Sequence, residues 1–587
     1  MTWRATVRRG TAIALAGALM VVACTGDDDD ADRSDRDGGG SSSSATEPDA
    51  GPARTEVRRP AETTVVEPGE GAGDLAMAAT RALFAAAPLV VLAPVDDPTA
   101  QSRASAEAVE LGMPMLLSPA APPAGDEPAG AASTTTAPPT TVDAAASATT
   151  AASAALADEL DRLGAETVLA IGDEAVEWAE AIDEGPAVVE GSAQPPPEDQ
   201  GGAPDTEPPT TDESGAPPSD GDGGGTTPLE DGLPDVAPGE LLGDGLMVVV
   251  GSGQDSVAAT ATARASGARV LRLSHGDPRA DVAAIELLTE RPPPDQVLAI
   301  GSRFGAADQL RRRLDAAATG WQLPGGGQVL FPGRRMIALY GHPGTPSLGV
   351  LGEQPLDPAL ARVQTLAREY DRLVPDVEGP VVPAFEIIAT VASGSAGRDG
   401  NYSNESEVEE LRPWIDAAGE AGVYVVLDIQ PGRTDFLTQA KRYEDLLLEP
   451  HVGLALDPEW RLGPDQVHRA QVGSVTAAEI NTVGDWLAEL ARTNQLPQKL
   501  LLIHQFRPQM ISGRSQLVTD HDELAVMIHA DGFGTHAQKY ATWDRLQADP
   551  PARIWWGWKN FIDEDTPMLT AAETLAVTPQ AHFISYQ

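Results

Sequence analysis

Five carboxylate side chains in the last third of the chain lie within or directly after apolar runs. They are Glu386, Asp428, Asp457, Glu459 and Asp531. Two carboxylates that face each other across a cleft can divide acid and base roles, because an apolar pocket keeps one protonated while the other stays ionised. That division is the chemistry of glycoside hydrolysis. We therefore predict these five residues as catalytic, without assigning which is the acid and which the base.

Other polar and aromatic residues in the same runs are predicted to contact the substrate. They are His342, His504, Gln505, His529, Trp460, Trp556, Lys559 and Tyr586. Flat aromatic faces can stack on sugar rings, imidazoles can orient a substrate or stabilise charge, and a lysine can hold an anionic group. Each residue alone has an ordinary structural explanation. The prediction rests on the set, because several buried carboxylates need one another, a metal or a substrate.

Two other functions are compatible with the same residues. His342, Glu386, Asp428, His504, His529 and Asp531 offer the nitrogen and oxygen donors of a metal-dependent hydrolase of phosphodiesterase or amidohydrolase type. No pair of histidines with tight ligand spacing occurs, so we expect no metal and no cofactor. The third possibility is a binding protein without catalytic activity, which holds a wall polymer or a small ligand.

Eight apolar runs of strand length, separated by helical patterns, must position these residues. They span 336–340, 381–388, 423–429, 452–457, 500–505, 524–530, 553–558 and 582–586. Eight strands with intervening crossovers in about 250 residues predict a (β/α)8 barrel over 330–587, in which strand ends carry the site. The last outer helix would be missing. The layout resembles a glycosidase-type barrel, although no family signature matches.

The preceding part, 73–315, contains two similar halves. Strand-like runs alternate with helical patterns in each, and Val-Leu-Ala-Ile-Gly recurs at 168–172 and 297–301. This rhythm predicts a duplicated α/β layer domain with a parallel sheet, interrupted by disordered insertions at 119–150 and 184–240. The Leu-Gly-Ala before a strand that ends in Ile-Gly resembles the type 2 cell-wall-binding repeat. That resemblance implies an extracellular glycan of the cell wall as a partner.

The N-terminus combines a basic head with an apolar run that ends in Val21-Val22-Ala23-Cys24. This pattern predicts a signal peptide over 1–23 and resembles a bacterial lipobox, which implies lipidation of Cys24. We expect a disordered acidic tether over 24–72 and a lipid-anchored protein on the extracytoplasmic face of the cell membrane. The formal net charge of −48 repels phosphate backbones, so nucleic acid is not an expected partner.

Overall fold

A computed structural model of the chain describes residues 54–69, 71–120, 141–191, 233–234, 236–237, 239–375 and 379–587. The predicted signal peptide, Cys24 and most of the predicted tether lie outside the described residues. None of the helices in the described part of the chain has both the length and the apolar character that a membrane crossing requires.

The N-terminal part forms two four-stranded parallel sheets and one short antiparallel pair. Its strands are β1 Glu56–Val57, β2 Thr64–Val66, β3 Phe84–Ala86, β4 Leu89–Pro94, β5 Met115–Ser118, β6 Thr167–Ile171, β7 Ala187–Gly191, β8 Leu246–Gly251, β9 Arg269–Leu273 and β10 Gln296–Ile300. Its helices are α1 Ala72–Leu83, α2 Pro98–Leu111, α3 Thr141–Leu163, α4 Asp173–Glu180, α5 Val257–Ala265, α6 Val282–Glu290 and α7 Ala307–Ala317.

The two sheets have the same strand order. The first is β5-β4-β6-β7 and the second is β9-β8-β10-β2, so each half places its second strand beside its first and its third on the other side. The fourth strand follows the third in the first half, whereas in the second half it comes from the N-terminal segment. Residues of both halves share one hydrophobic core, in which α1 and α2 pack against α5.

Three predicted boundaries in this part are wrong. The predicted tether contains β1 and β2, and β2 is held by parallel pairing with β10. The insertion at 119–150 includes the start of α3, and the insertion at 184–240 includes β7, which pairs with β6. Low-complexity composition concealed these elements, because alanine-rich and acidic segments also form helices and edge strands when a packed neighbour is available.

The C-terminal part is a closed barrel of eight parallel strands, as predicted. Its strands are β11 Arg335–Gly341, β12 Val381–Ala392, β14 Tyr424–Ile429, β15 Val452–Leu456, β17 Lys499–Gln505, β19 Leu524–Ala530, β20 Trp555–Asn560 and β21 Phe583–Tyr586. Closure occurs where β11 pairs with both β12 and β21. Three short strands lie outside the ring of eight: β13 Ser403–Glu405, which extends β12, and the pair β16 Val475–Thr476 and β18 Ile511–Ser512.

Helices of very different length cover the barrel. They are α8 Leu356–Asp371, α9 Val408–Glu420, α10 Phe436–Ala440, α11 Glu444–Leu447, α12 Ala477–Thr493, α13 His536–Gln547 and α14 Ala571–Leu575. Within the described residues no helix follows β21. Apolar side chains on the outer strand faces form the main core with these helices.

An ion-pair cluster joins the N-terminal part to the barrel. Asp522, in the loop before β19, accepts hydrogen bonds from Arg279 Nη2 at 2.9 Å, from Arg313 Nε at 3.0 Å and from Gln309 Nε2 at 3.1 Å. Burial would raise the pKa of Asp522, but the two arginines hold it below its usual value. The carboxylate therefore stays charged and connects the two parts.

Candidate active site

The alternation of side chains along the strands puts the candidate residues inside the barrel. The lower lumen is filled by an apolar cluster that includes Met336, Val426 and Leu502. Two residues further along β14 and β17, the same face carries Asp428 and His504. A polar layer therefore lies directly above the apolar one, at the carboxyl ends of the strands where barrel enzymes carry their sites.

His504 lies at the centre of this polar layer and contacts three carboxylates. Its Nε2 is 2.8 Å from Glu386 Oε1 and 3.9 Å from Asp428 Oδ1, and its Nδ1 is 3.2 Å from Asp531 Oδ2. Burial alone would lower the pKa of His504, but these carboxylates, Glu386 first, raise it well above its usual value. His504 is therefore positively charged in the absence of other ligands.

The charge of His504 also gives the surrounding carboxylates different pKa values. Burial would raise the pKa of Glu386, but His504 lowers it to about 2. Burial would likewise raise the pKa of Asp531, and its contact with His504 lowers it below the usual value. Asp428 behaves differently, because burial and the nearby charge of Glu386 raise its pKa to about 6 against the opposing effect of His504.

His529 lies beside His504 on the neighbouring strand and remains neutral. The two residues are register partners, and their ring centroids are 5.0 Å apart. Burial, together with the charge of His504, lowers the pKa of His529 to about 3. Its Nε2 is 3.2 Å from Ser585 Oγ. Gly557, the register partner of His529 on β20, leaves space for the ring, since a Cβ there would lie 2.4 Å from Cδ2 of His529.

A cavity of about 1550 Å³ opens above this layer. Its lining includes Asp457, Glu459, Asp531 and Lys559, so three of the five predicted catalytic carboxylates reach its surface. Burial and then the charge of Asp531 raise the pKa of Glu459 to about 7. Burial and then Glu459 raise the pKa of Asp457 well above its usual value. The cavity thus contains both protonated and ionised carboxyl groups near neutral pH.

Aromatic rings line the same cavity. They belong to Tyr340, Trp460, Phe506, Phe533 and Phe561. The ammonium of Lys559 lies 3.5 Å from the centroid of the Tyr340 ring. Of the aromatic residues predicted to contact substrate, only Trp460 belongs to this set.

Six of the eight residues predicted to bind substrate do not line the cavity, and these predictions are corrected. His504 and His529 lie in the buried layer below it, and the other four lie elsewhere. Trp556 packs outward against Trp543 with ring centroids 5.5 Å apart, and the hydroxyl of Tyr586 is 2.6 Å from that of Tyr370 in the outer core. The sequence shows the alternation of a strand but not which alternate positions face the lumen. Both residues occupy positions that face the helices, so neither can touch a ligand in the cavity.

The other two corrections concern polar side chains that stabilise loops. Gln505 donates hydrogen bonds to the carbonyl oxygens of Arg507 and Pro508, which fixes the loop after β17. The ring nitrogens of His342 lie within hydrogen-bonding distance of the hydroxyls of Thr345 and Ser406. Neither residue lines the cavity.

The sequence interpretation missed three residues of the site. The hydroxyl of Tyr340 donates to Asp428 Oδ2 at 3.0 Å, and Gln430 Nε2 donates to that hydroxyl at 3.2 Å. Ser585 contacts His529, as described above. Tyr340 follows Met336 and Ala338 at alternate positions of β11 and shares their inward face, but the intervening Ile337 and Leu339 are apolar as well, so the sequence shows no alternation that could have found it.

Three of the buried side chains could also hold a metal ion. Glu386, His504 and His529 each offer one ligand atom, and these atoms lie within 4.8 Å of one another. This cluster lies below the cavity lining. Its residues come from β12, β17 and β19, and β14 and β15 lie between β12 and β17 in the barrel.

No family model matches the chain, and no curated protein matches it. The barrel fold is compatible with an enzyme or with a carbohydrate-binding protein, since one fold can carry many functions.

Proposed function

We propose that the barrel is a glycosidase-type hydrolase that acts on extracellular carbohydrate. One observation carries this proposal: Glu459, with a pKa of about 7, and Asp531, with a pKa below its usual value, line the same cavity. Pairs of carboxyl groups whose surroundings move their pKa values apart are the acid and base pairs of glycoside hydrolysis.

In this mechanism Glu459 is the general acid and Asp531 is the ionised partner. Glu459 keeps its proton up to neutral pH and can donate it to the oxygen of the leaving sugar. Asp531 either activates water or attacks the sugar. One of its oxygens, Oδ1, has no hydrogen-bond partner among the described residues, whereas Oδ2 contacts His504. His504 therefore keeps Asp531 ionised and fixes its orientation.

The walls of the cavity support a sugar polymer as the substrate. Trp460 and the 63% exposed Phe533 present ring surface at the mouth, where sugar rings can stack. The cavity volume of about 1550 Å³ exceeds the ordinary size range of small-molecule pockets, about 300–1,000 Å³, so a chain of several sugars fits better than a single one.

The experiment replaces Glu459 with glutamine and measures release of reducing ends from a panel of cell-wall and other polysaccharides. We expect Glu459→Gln to lower turnover by about 10²–10⁴-fold, because a general acid contributes that much. Glu564→Gln is the matched control, since Glu564 is an exposed carboxylate that lines the same mouth. Equal turnover in the wild-type chain and Glu459→Gln would remove Glu459 from the mechanism.

The N-terminal sequence supports a proposal for where the protein is located. We propose that lipidation of Cys24 anchors the chain to the outer face of the cell membrane and that the duplicated domain binds wall glycan. Mass spectrometry of the N-terminal peptide tests the first part, since a diacylglyceryl adduct on Cys24 is expected and a free thiol contradicts it. Sedimentation of the purified protein with isolated cell walls tests the second.

A further inference from the structure

The buried layer below the cavity contains polar atoms without hydrogen-bond partners. Both carboxylate oxygens of Glu386, Nε2 of His504 and Oδ1 of Asp428 have none among the described residues. Glu386 Oε1 and His504 Nε2 are 2.8 Å apart, but they are not aligned as a hydrogen bond. All three residues are fully buried. Unsatisfied buried groups of this kind are costly unless a ligand satisfies them.

The charges of the same region do not balance. Glu386, Asp428, Asp457, Glu459 and Asp531 lie close enough to influence one another, and Lys559 supplies one positive charge beside them. A divalent cation bound among these groups would offset part of the remaining negative charge.

We propose that Glu386, His504 and His529 bind a divalent transition-metal ion, for which zinc is the best candidate. Two imidazoles and one carboxylate are a donor set of catalytic zinc sites, and imidazole donors disfavour magnesium and calcium. The ligand atoms of the three residues lie within 4.8 Å of one another. Two donors on a tetrahedral zinc ion are about 3.3 Å apart, so Glu386 and His504 need to separate only slightly.

Neighbouring groups hold the two imidazoles as they do in metal sites. Asp531 Oδ2 lies 3.2 Å from Nδ1 of His504, so Nε2, which faces Glu386, remains for the ion. Ser585 Oγ lies 3.2 Å from Nε2 of His529, so Nδ1, which lies 3.4 Å from Nδ1 of His504, is the nitrogen that would bind the ion. Partners on the second ring nitrogen fix the orientation of metal-binding histidines.

Asp428 is placed to become a further ligand. Its Oδ1 lacks a partner and lies 3.9 Å from Nε2 of His504, while its other oxygen accepts from Tyr340. The proposed ion would lie beneath the cavity, where it could polarise a bound water or substrate oxygen. The inference concerns binding alone and does not depend on the proposed glycosidase activity.

The test is zinc binding by the full chain, prepared without a histidine tag and stripped with a chelator. After incubation with zinc chloride and dialysis against metal-free buffer, we expect one zinc per chain by elemental analysis. Isothermal titration should show that Glu386→Gln and His529→Gln each weaken zinc binding by at least 100-fold. His275→Gln, at an exposed histidine of the N-terminal part, should bind like the wild type. Cys24→Ser should also retain zinc, which excludes the thiol as the ligand.

Asp531→Asn and Glu459→Gln separate this inference from the proposed function. Asp531→Asn should weaken zinc binding by about 10–100-fold through its effect on His504. Glu459→Gln should lose turnover and keep zinc. Circular dichroism and a single thermal transition establish that each variant is folded. The inference is overturned if the folded wild-type chain binds no zinc, binds magnesium or calcium in preference, or binds zinc equally well in Glu386→Gln and His529→Gln.

Discussion

Replacement of Asp522 by asparagine should destabilise the junction between the N-terminal part and the barrel. The side chain accepts hydrogen bonds from Arg279, Arg313 and Gln309. Asparagine removes one of the two carboxylate charges that both guanidinium groups face, and Asp277 supplies the other. Removal of one partner from a fully buried ion pair costs about 3–5 kcal/mol. The Asp522 side chain is 17% exposed and that of Arg313 is 16% exposed, so solvent screens part of the interaction. We therefore expect a loss of about 2–3 kcal/mol in the free energy of unfolding.

The assay is urea unfolding at pH 7, followed by tryptophan fluorescence and circular dichroism. Asp520→Asn is the control, because it makes the same substitution at an exposed position of the same loop. The pKa of Asp522 is lower in the folded state than in the unfolded state, so its contribution is present above the unfolded value of about 3.8 and is lost as pH falls below it. The difference between Asp522→Asn and the wild type should therefore shrink at acidic pH. A difference below about 0.5 kcal/mol at pH 7, equal to that of Asp520→Asn, would refute the reasoning.

Three further predictions concern the barrel. The value of kcat/KM should fall as pH rises through about 7. Burial and a neighbouring carboxylate raise the pKa of Glu459 to about 7, and the general acid must hold its proton. A constant kcat/KM up to about pH 9 would contradict this role. Trp460→Ala should raise KM about five-fold and leave kcat nearly unchanged, since it removes a stacking surface. Trp321→Ala, at an exposed tryptophan between α7 and β11, should change neither. Gly557→Ala should lower the free energy of unfolding by about 1–3 kcal/mol, because the new Cβ would lie 2.4 Å from the ring of His529. Gly333→Ala, with open space around it, should have little effect, and thermal unfolding measures both.

The barrel and most of its polar layer could be predicted because their signal is periodic. Each strand shows an apolar run, and the strand ends carry the charged residues that the fold places at one rim. Glu386, Asp428, His504, His529 and Asp531 were all predicted from this pattern, and the structure brings them together.

For each strand, the sequence alone could not predict which alternate positions face the lumen. Trp556 and Tyr586 lie on positions that face the helices. A strand that is buried on both faces shows apolar residues at every position, so its sequence does not tell which of them face the lumen. Tyr340 was missed for the same reason, since nothing in the strand separates its inward face from its outward face. The carboxylates around His504 were predicted one by one, but their common contact with one imidazole depends on the closure of the barrel.

The duplicated domain shows a different limit. The repeated Val-Leu-Ala-Ile-Gly segments correspond to β6 and β10, which hold equivalent positions in the two sheets. The fourth strand of each sheet has no such signal, because β7 and β2 are short and partly exposed and lie beside acidic or low-complexity segments. Pairing with an already formed sheet decides their structure.

Hydrolysis of glycans in ¹⁸O-labelled water tests the central claim most directly. If the carboxylates at the barrel mouth cleave glycosidic bonds, mass spectrometry of the products should show one heavy oxygen at the new reducing end of each fragment, with the signal lost in Glu459→Gln. The claim is contradicted if no glycan in the panel yields labelled fragments, or if the wild-type chain and Glu459→Gln yield them at the same rate.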